Sequence, residues 1–537
     1  NKLTLILIIP FKSKLKKCLF RYKIIKYTFL LLVVFITSCN SFLEPKSQSE
    51  FVPQLIQSLD ELLLGEAYMG PGLNDGRFFS VLGVFDDDVS IRPNWKAESS
   101  EEGKVKQIRL AYSWSKDMKD QFSNYNTYAE VYKKILGCNS VLDYMDDVQG
   151  SEQAKNKVMA QALALRGYFY LHLVNLYGKP YSADKNALGV PLKLTSEMGT
   201  SGMPRNTVKE VYEQIIKDLL EAESLFKSLP ASEQNLRNNR INLPCTQLLL
   251  SRTYLYMEEW EKSVTYAEEV INQYDYDILD LNTIAEPNPY NSPAYMNYYT
   301  WSNPEVIFLF GNQADVCELP LTRITCVEES KPGQINYKSY VPVIASESLI
   351  NTFDKNDLRK THYLIWEEID YNGTPVYRQP TSKYDVQRRY KIEYRYERGV
   401  WGTAFKVTEA YLNAAEAAAM LYKENNQSEY RTKAQTLIDA LRIKRFSQTT
   451  YKPTTISEGE QLVSFIRDER RRELCFENHR WFDLRRYGME EIKHTWYDTS
   501  GEPIEYILEK NDPGFTLQLP NEAFEHNSSL VQNEPRK

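Results

Sequence analysis

The chain has 537 residues, of which 42% are hydrophobic and 26% are charged, and its formal net charge is −7 at pH 7. A chain of this length can bury large cores and exceeds the usual size of one simple domain. The negative charge makes nucleic acid and anionic lipid surfaces poor partners, because both would repel it.

The first 38 residues have the pattern of a bacterial lipoprotein signal peptide. A basic stretch (12–26) precedes an apolar run (28–36) that is too short for a bilayer, which needs about 20 apolar residues. Small residues then lead to Cys39, which we expect to be acylated after export. Without the eight basic residues of the signal, 57 basic residues face 72 acidic ones, a net charge of −15. No methionine precedes Met69, so the translation start stays open.

Helical periodicity dominates the chain after the signal. Capping boxes, in which a hydroxyl and a later carboxylate pair with backbone N–H groups, predict helix starts at Thr127, Thr207 and Ser457. We expect an N-terminal helical region over residues 39–230 and a C-terminal region over residues 231–537. The predicted helical segments are 127–145, 152–177, 207–230, a hairpin over 244–274, 407–423, 430–446 and a last helix from 457.

The hairpin has the spacing of a tetratricopeptide repeat, although the match is imperfect. Its small, aromatic and bulky positions are Ser251, Tyr254, Trp260, Ser263, Ala267 and Val270. Between residues 276 and 400 the periodicity fades, while Pro, Asn and Tyr become more frequent. The sequence therefore predicts a mainly α-helical body with tetratricopeptide-like helix pairs, plus an irregular, loop-rich insert (276–400) with short strands.

The densest charge constellation lies at residues 467–486. It predicts a structural ion-pair network formed by Glu469, Arg470, Glu473, Arg480 and Asp483. The two glutamates lie four residues apart and share a helix face, and we expect the later arginine and aspartate to fold back on them. Neighbouring arginines keep carboxylates ionised rather than ready to act as acids, which argues against a catalytic role.

The cysteines after the signal do not have zinc-site spacing. Cys317 and Cys326 flank a short segment and could form a disulfide in an oxidising compartment, which the sequence leaves open. The pattern around Cys138, Cys245 and Cys475 is helical, so these three are predicted to be buried.

Taken together, these motifs resemble the SusD/RagB family of outer-membrane lipoproteins. Residues 469–487 are similar to the family's Glu-Arg…Glu-Leu…Glu-Gly…Arg…Asp-Leu-Arg-Arg signature, with Asn478 where the family usually has glycine. Further similar stretches follow one another in the family's order at 39–45, 162–170, 189–192, 303–308, 409–416 and 519–533. The resemblance covers nearly all of residues 39–537.

This resemblance implies a helical body built around tetratricopeptide-like units, with the ligand site on loops away from them. It implies a lipid-anchored protein on the outer face of the outer membrane that captures glycan and delivers it to a SusC-type TonB-dependent transporter. A peptide-binding lipoprotein of the RagB type and a tetratricopeptide adaptor for other proteins are the alternatives.

The ligand site must be nominated on physical grounds, because the family signature consists of scaffold residues. Sugars bind to aromatic platforms flanked by amides, carboxylates and arginine, and binding residues concentrate on loops. Two turn-rich stretches have this composition and supply the candidates Arg92, Asn94, Trp95, Tyr295, Tyr298, Tyr299 and Trp301. The acidic stretch 86–88 next to the first of them is interpreted as a solvated turn in preference to a calcium site.

Motifs of enzymes are missing from the sequence. It contains no His-Glu-x-x-His, Gly-x-Ser-x-Gly or P-loop sequence, and its five histidines have no evident catalytic partners. We therefore expect a binding protein without catalytic residues, cofactor or metal.

Overall fold

Helices make up most of the structure, a computed structural model that describes residues 53–70, 82–92, 97–121, 127–197, 199, 202–284, 298–312, 324–331, 334–340, 342–369, 375–377, 386–389, 401–497 and 502–536. The helices are α1 (Ile56–Glu66), α2 (Glu102–Tyr112), α3 (Met118–Gln121), α4 (Thr127–Asp143), α5 (Glu152–Tyr177), α6 (Tyr181–Asp184), α7 (Val208–Lys227), α8 (Ala231–Gln234), α9 (Leu243–Tyr256), α10 (Trp260–Gln273), α11 (Glu347–Ile350), α12 (Arg359–His362), α13 (Val407–Asn425), α14 (Ser428–Arg442), α15 (Gly459–Leu474), α16 (Arg480–Arg486) and α17 (Asn521–His526). The predicted mainly α-helical fold class is confirmed.

Short strands lie between these helices. They are β1 (Val89–Ile91), β2 (Val306–Asn312), β3 (Ile324–Lys331), β4 (Gln334–Tyr340), β5 (Val343–Ala345), β6 (Leu364–Ile369), β7 (Pro375–Tyr377), β8 (Val386–Arg389), β9 (Trp401–Lys406), β10 (Ile492–Tyr497) and β11 (Pro503–Leu508). All their pairings are antiparallel: β1 with β5, β2 with β9, β3 with β4, β6 with both β7 and β8, and β10 with β11. Most of these strands belong to the predicted insert, which therefore contains the short strands expected there.

Helix α5 is the centre of the N-terminal half. Every residue from Ala160 to Tyr177 is buried, so the helix needs neighbours on all sides, and α4, α7 and α9 supply them. Its Gly167 permits the closest approach, because a Cβ atom there would lie 3.1 Å from Leu219 of α7. This glycine therefore allows tight packing of α5 against α7.

The tetratricopeptide-like hairpin is the pair α9–α10. The hydroxyl of Ser251 donates to the carbonyl of Ser263, and the hydroxyl of Ser263 donates to the carbonyl of Ser251, both at 3.0 Å. This reciprocal contact requires a small residue on each helix. The next pair, α13–α14, packs against α10 through α13, so two helical pairs are stacked.

The helix ends show how local sequence sets the element boundaries. Helix α7 begins at the predicted capping box, where Thr207 accepts from the N–H of Glu210 and the Glu210 carboxylate accepts from the N–H of Thr207. Helix α15 differs from the prediction, since its cap is Glu458 and not Ser457. The Glu458 carboxylate accepts from the N–H groups of Glu460 and Gln461 and places negative charge at the positive helix end.

In the part of the chain that the structure describes, no helix combines the length and the apolar character needed to cross a membrane. Cys138, Cys245 and Cys475 are buried, as predicted. Cys317 and the side chain of Cys326 lie outside the described residues, and so does Cys39.

Candidate functional site

Arg92 is the described member of the first predicted ligand-binding stretch. It follows β1 directly, its side chain is buried, and its backbone N–H donates to the carbonyl of Pro342 at 2.8 Å. This bond extends the β1–β5 pairing by one residue. Asn94 and Trp95 lie outside the described residues.

The second stretch is described from Tyr298 onward, and Tyr295 lies outside the described residues. Tyr298 and Tyr299 are only 4% and 1% exposed, so neither ring offers a stacking face at the surface. The amide of Asn303 donates to the carbonyl of Tyr298 at 2.9 Å and closes a turn that directs these rings inward. The ring of Tyr298 packs edge-on against Tyr363, with centroids 5.3 Å apart.

Trp301 is half-buried, and it is the described aromatic candidate that keeps an exposed surface. The guanidinium of Arg237 donates to the carbonyls of Trp301 at 3.3 Å and Asn303 at 2.8 Å, which holds this turn against the loop after α8. Both predicted stretches thus contact the segment 342–363, Arg92 at its start and Tyr298 at its end. The ligand-binding role of the whole set stays a prediction.

Helix α15 contains the buried charged residues that support these stretches. Its residues 469–473 are five consecutive charged side chains, and all of them are buried. Successive helical residues point about 100° apart, so neighbours must surround this turn and each must satisfy a different charge. Buried charges are tolerated only when they are paired and hydrogen-bonded.

Glu469 and Glu473 are fully buried and lie in one cluster of charged side chains. Arg359 donates to Asp357 at 2.7 Å, to Glu473 at 3.0 Å and to Glu469. Arg445 donates to Glu473 at 2.9 Å, and the hydroxyl of Tyr363 reaches Glu473 at 3.2 Å. Among the described residues, the cluster holds four positive and four negative side chains: Arg359, Arg442, Arg445, Arg472, Glu305, Asp357, Glu469 and Glu473.

Arg470 and Asp483 belong to a second cluster on the other side of α15. Asp483 accepts from Arg470 at 2.9 Å and from Arg486 at 2.8 Å, and Arg486 continues to Glu416 of α13 at 2.6 Å. All five residues predicted to form an ion-pair network are therefore paired. Their partners differ from the prediction, because Arg480 and Asp483 do not fold back on the two glutamates, which long-range arginines already saturate.

Arg480 pairs with the acidic stretch 86–88, and the expectation of a solvated turn there is wrong. Asp86 and Asp88 are buried, Arg480 holds Asp87 through two bonds of 2.7 and 2.8 Å, and Arg471 holds Asp88 at 2.7 Å. Arg471 and Arg480, which belong to the segment that resembles the family signature, thus hold the residues before the strand that leads to Arg92. No group of His, Cys, Asp or Glu in the described ranges is arranged to hold a metal ion.

The pKa values of the clamped carboxyl groups separate according to their partners. Burial raises the pKa of Asp87, but Arg480 and Arg471 outweigh it and lower the value to about 2. Burial also opposes ionisation of Glu469, and Arg359, Arg472 and Arg442 still hold its pKa well below the usual range. Burial, followed by Asp88 and Asp87, raises the pKa of Asp86 well above its usual range.

Acid is therefore expected to unfold the protein steeply. A carboxyl group whose pKa is lower in the folded state stabilises the fold above its unfolded pKa, near 4, and this contribution is lost as pH falls toward the folded value. Depressed pKa values at five carboxyl groups of this region outnumber the two opposing shifts at Asp86 and Asp88; the five are Asp87, Glu409, Glu416, Glu469 and Asp483. Urea midpoints should fall sharply between about pH 4.5 and 2. A level midpoint down to pH 3 would contradict this.

The turn that joins α15 to α16 is strained. Phe476 and Asn478 have positive φ angles of 63° and 62°, a region that non-glycine residues seldom adopt. Asn478 thus has a left-handed conformation, which asparagine adopts more often than most residues. Burial lowers the pKa of the adjacent His479 well below its usual range, so this imidazole is neutral at pH 7.

Sequence reasoning missed the long-range members of these clusters. Arg359 is 110 residues from Glu469, and Asp88 is 383 residues from Arg471. No local pattern links residues so far apart. The sequence held one signal of these contacts. Five consecutive charged residues on a buried helix each need a partner of opposite charge, and some of these partners must come from other parts of the chain.

Comparison with known proteins gives two family matches. A family model described as "Starch-binding associating with outer membrane" matches residues 42–255, and one described as "SusD family" matches residues 393–535. Two curated proteins of Formosa agariphila are similar to this chain. SusD-like protein P25 is 23% identical and aligns with 87% of this chain and 90% of its own length; SusD-like protein P2 is 24% identical and aligns with 76% and 79%.

Solved structures share the fold. A SusD-like carbohydrate-binding protein from Bacteroides vulgatus has a TM-score of 0.64 at 20% identity, covering 90% of this chain and 99% of its own. A laminarin-binding SusD-like protein has a TM-score of 0.55 at 18% identity, covering 89% and 97%. The two family matches, the full-length relatives and the shared fold lead to one conclusion: the chain belongs to the SusD/RagB family of carbohydrate-binding, outer-membrane-associated proteins.

Proposed function

We propose that this protein captures a glycan at the cell surface and delivers it to a SusC-type TonB-dependent transporter, while acylated Cys39 holds it on the outer membrane. The observation that carries the proposal is the match of residues 42–255 to the starch-binding, outer-membrane family model. The laminarin-binding protein with the same fold makes glucans the first ligands to test.

The geometry supports a binding role for the loops. The buried ion-pair cluster around Arg359 fixes the segment 342–363, and Arg471 and Arg480 fix the strand before Arg92. A rigid base lowers the entropy that a loop loses when it closes on a ligand. Trp301 then offers an exposed part of a large ring beside this base, which suits the apolar face of a sugar.

Binding is tested by calorimetry of the purified protein with starch, laminarin and a mixture of peptides. We expect at least one glucan to bind and Trp301→Ala to weaken that binding by about tenfold, or roughly 1.4 kcal/mol. Tyr430→Ala is the matched control, because Tyr430 is another half-buried aromatic on α14. Titration of the peptides without any glucan binding would favour the RagB-like or adaptor alternatives. Release of reducing sugar would show catalysis.

Delivery is tested separately from binding. Extraction of the outer membrane with mild detergent should recover the protein together with a large β-barrel. Binding of glucan without recovery of such a barrel would leave the capture step standing and refute the delivery step.

A further inference from the structure

A small cavity lies between β9, the end of α9 and the strained turn after α15. Its volume is about 40 Å³. Three of the residues that line it each hold a buried polar atom with no hydrogen-bond partner among the described residues: Tyr256 Oη, Thr403 Oγ1 and Asn478 Nδ2. Buried polar groups in folded proteins are almost always paired, so three such atoms around one cavity indicate a polar guest.

Asn478 is the residue that sets this chain apart. The family resemblance places glycine here, and glycine takes a positive φ without strain. Asparagine adopts the same backbone conformation, at φ 62°, and adds a buried amide that lacks a partner. A strained residue with an unsatisfied group is a departure from local rules of the kind that marks functional positions.

The chemistry of the walls defines the guest. The amide Nδ2 of Asn478 can only donate, so the guest must accept a hydrogen bond there. Burial raises the pKa of Tyr256 to about 12, so its hydroxyl stays protonated at neutral pH and can donate or accept, as the hydroxyl of Thr403 can.

The charges around the cavity cancel. Arg252 is paired with Glu409 at 2.6 Å, and Glu477 is paired with Lys406 at 2.9 Å. The His479 imidazole is neutral at pH 7 because burial depresses its pKa. A guest with net charge would therefore gain little from the residues that line the cavity. A neutral hydroxyl can accept a hydrogen bond from the amide of Asn478 and can also donate to, or accept from, the hydroxyl groups of Tyr256 and Thr403.

The volume limits the number of such oxygens. Each water needs about 10–15 Å³ of cavity measured in this way, so about three fit. A smaller cavity of about 10 Å³ shares Thr403, Ala404 and Glu477 with the first and is also lined by Tyr299. Thr403 and the residues of the turn are partly exposed, so exchange with solvent can occur on that side.

We propose that this cavity is a hydroxyl-binding site that holds a cluster of about three ordered waters, whose places a small vicinal diol can take. The proposal goes beyond glycan capture by the loops and stands independently of it. Two kinds of molecule could supply the hydroxyl oxygens: bulk water, and a small polyol with a vicinal diol.

Crystals grown without polyols, and the same crystals soaked in ethylene glycol, distinguish the two sources. The proposal expects electron density for oxygen atoms within about 3.2 Å of the three unpaired atoms. Separate peaks in both crystals identify water, and continuous density after soaking identifies a diol; both support the site. A dry cavity, or side chains that pair with one another instead, overturns it.

Asn478→Gly gives a second, solution test. Its matched control is Asn426→Gly, because Asn426 has a φ of 55° at the end of α13 and is exposed to solvent. If Asn478 binds a hydroxyl oxygen, the melting temperature of Asn478→Gly should lie about 1–2 °C below that of Asn426→Gly. If the amide is unsatisfied, its removal relieves a cost, and Asn478→Gly should melt above the control, which would overturn the proposal.

Discussion

Glu473→Gln is expected to lower the free energy of unfolding by about 3–5 kcal/mol, because it leaves buried arginines without their counter-charge. Glu473 lies between Arg359 and Arg445, and all three side chains are fully buried. The substitution keeps the size of the side chain but places an amide where a carboxylate accepts from two guanidinium groups. Since a folded protein has about 5–15 kcal/mol in total, such a loss removes much of its stability. Urea unfolding followed by circular dichroism measures it.

The control for this experiment is Glu213→Gln on α7. Glu213 and Lys209 are both exposed and 3.7 Å apart, so the change should stay within about 0.5 kcal/mol. If Glu473→Gln cost less than about 1 kcal/mol, the buried cluster would be neutral to the fold, and its arginines would have to be solvated by internal water.

Cys39→Ser is expected to move almost all of the protein from the membrane to the soluble fraction. A cysteine with more than one acyl chain is bound stably to a membrane, and the substitution removes the thiol that would carry the first chain. The chain would be expressed with an initiator methionine in a Gram-negative host and partitioned with detergent. Incorporation of labelled fatty acid gives a second readout.

Cys18→Ser is the matched control for the anchor. Cys18 lies within the predicted signal, so its replacement should leave both the membrane fraction and the fatty-acid label unchanged. Retention of the label in Cys39→Ser, or its loss in Cys18→Ser, would show that the acylated residue has been assigned incorrectly.

The helices were predictable because their signals are local. The predicted segment 152–177 coincides with α5, and the hairpin 244–274 contains α9 and α10. Periodic apolar residues, caps and breakers lie within a few residues of the boundary that they set. The cap of α15 was predicted one residue too early, because the carboxylate of Glu458 caps this helix in place of the serine before it.

The candidate site was predictable only in part. Trp301 is half-exposed as a loop residue should be, whereas Tyr298 and Tyr299 are buried beneath the same turn. The acidic stretch 86–88 was expected in solvent, because the arginines that pair with it are not near it in the sequence. Its partners come from α15 and α16, almost 400 residues later.

Local sequence patterns thus indicated the family, the helical body and the presence of an ion-pair network around Glu469 and Glu473. They also predict that Cys39 is the lipid anchor. The folded chain assigned the partners of each charge, the direction of each tyrosine ring and the cavity beside Asn478. The reason is the range of the interactions. Helix formation depends on residues three or four apart, whereas buried charges and cavities depend on segments brought together from distant parts of the chain.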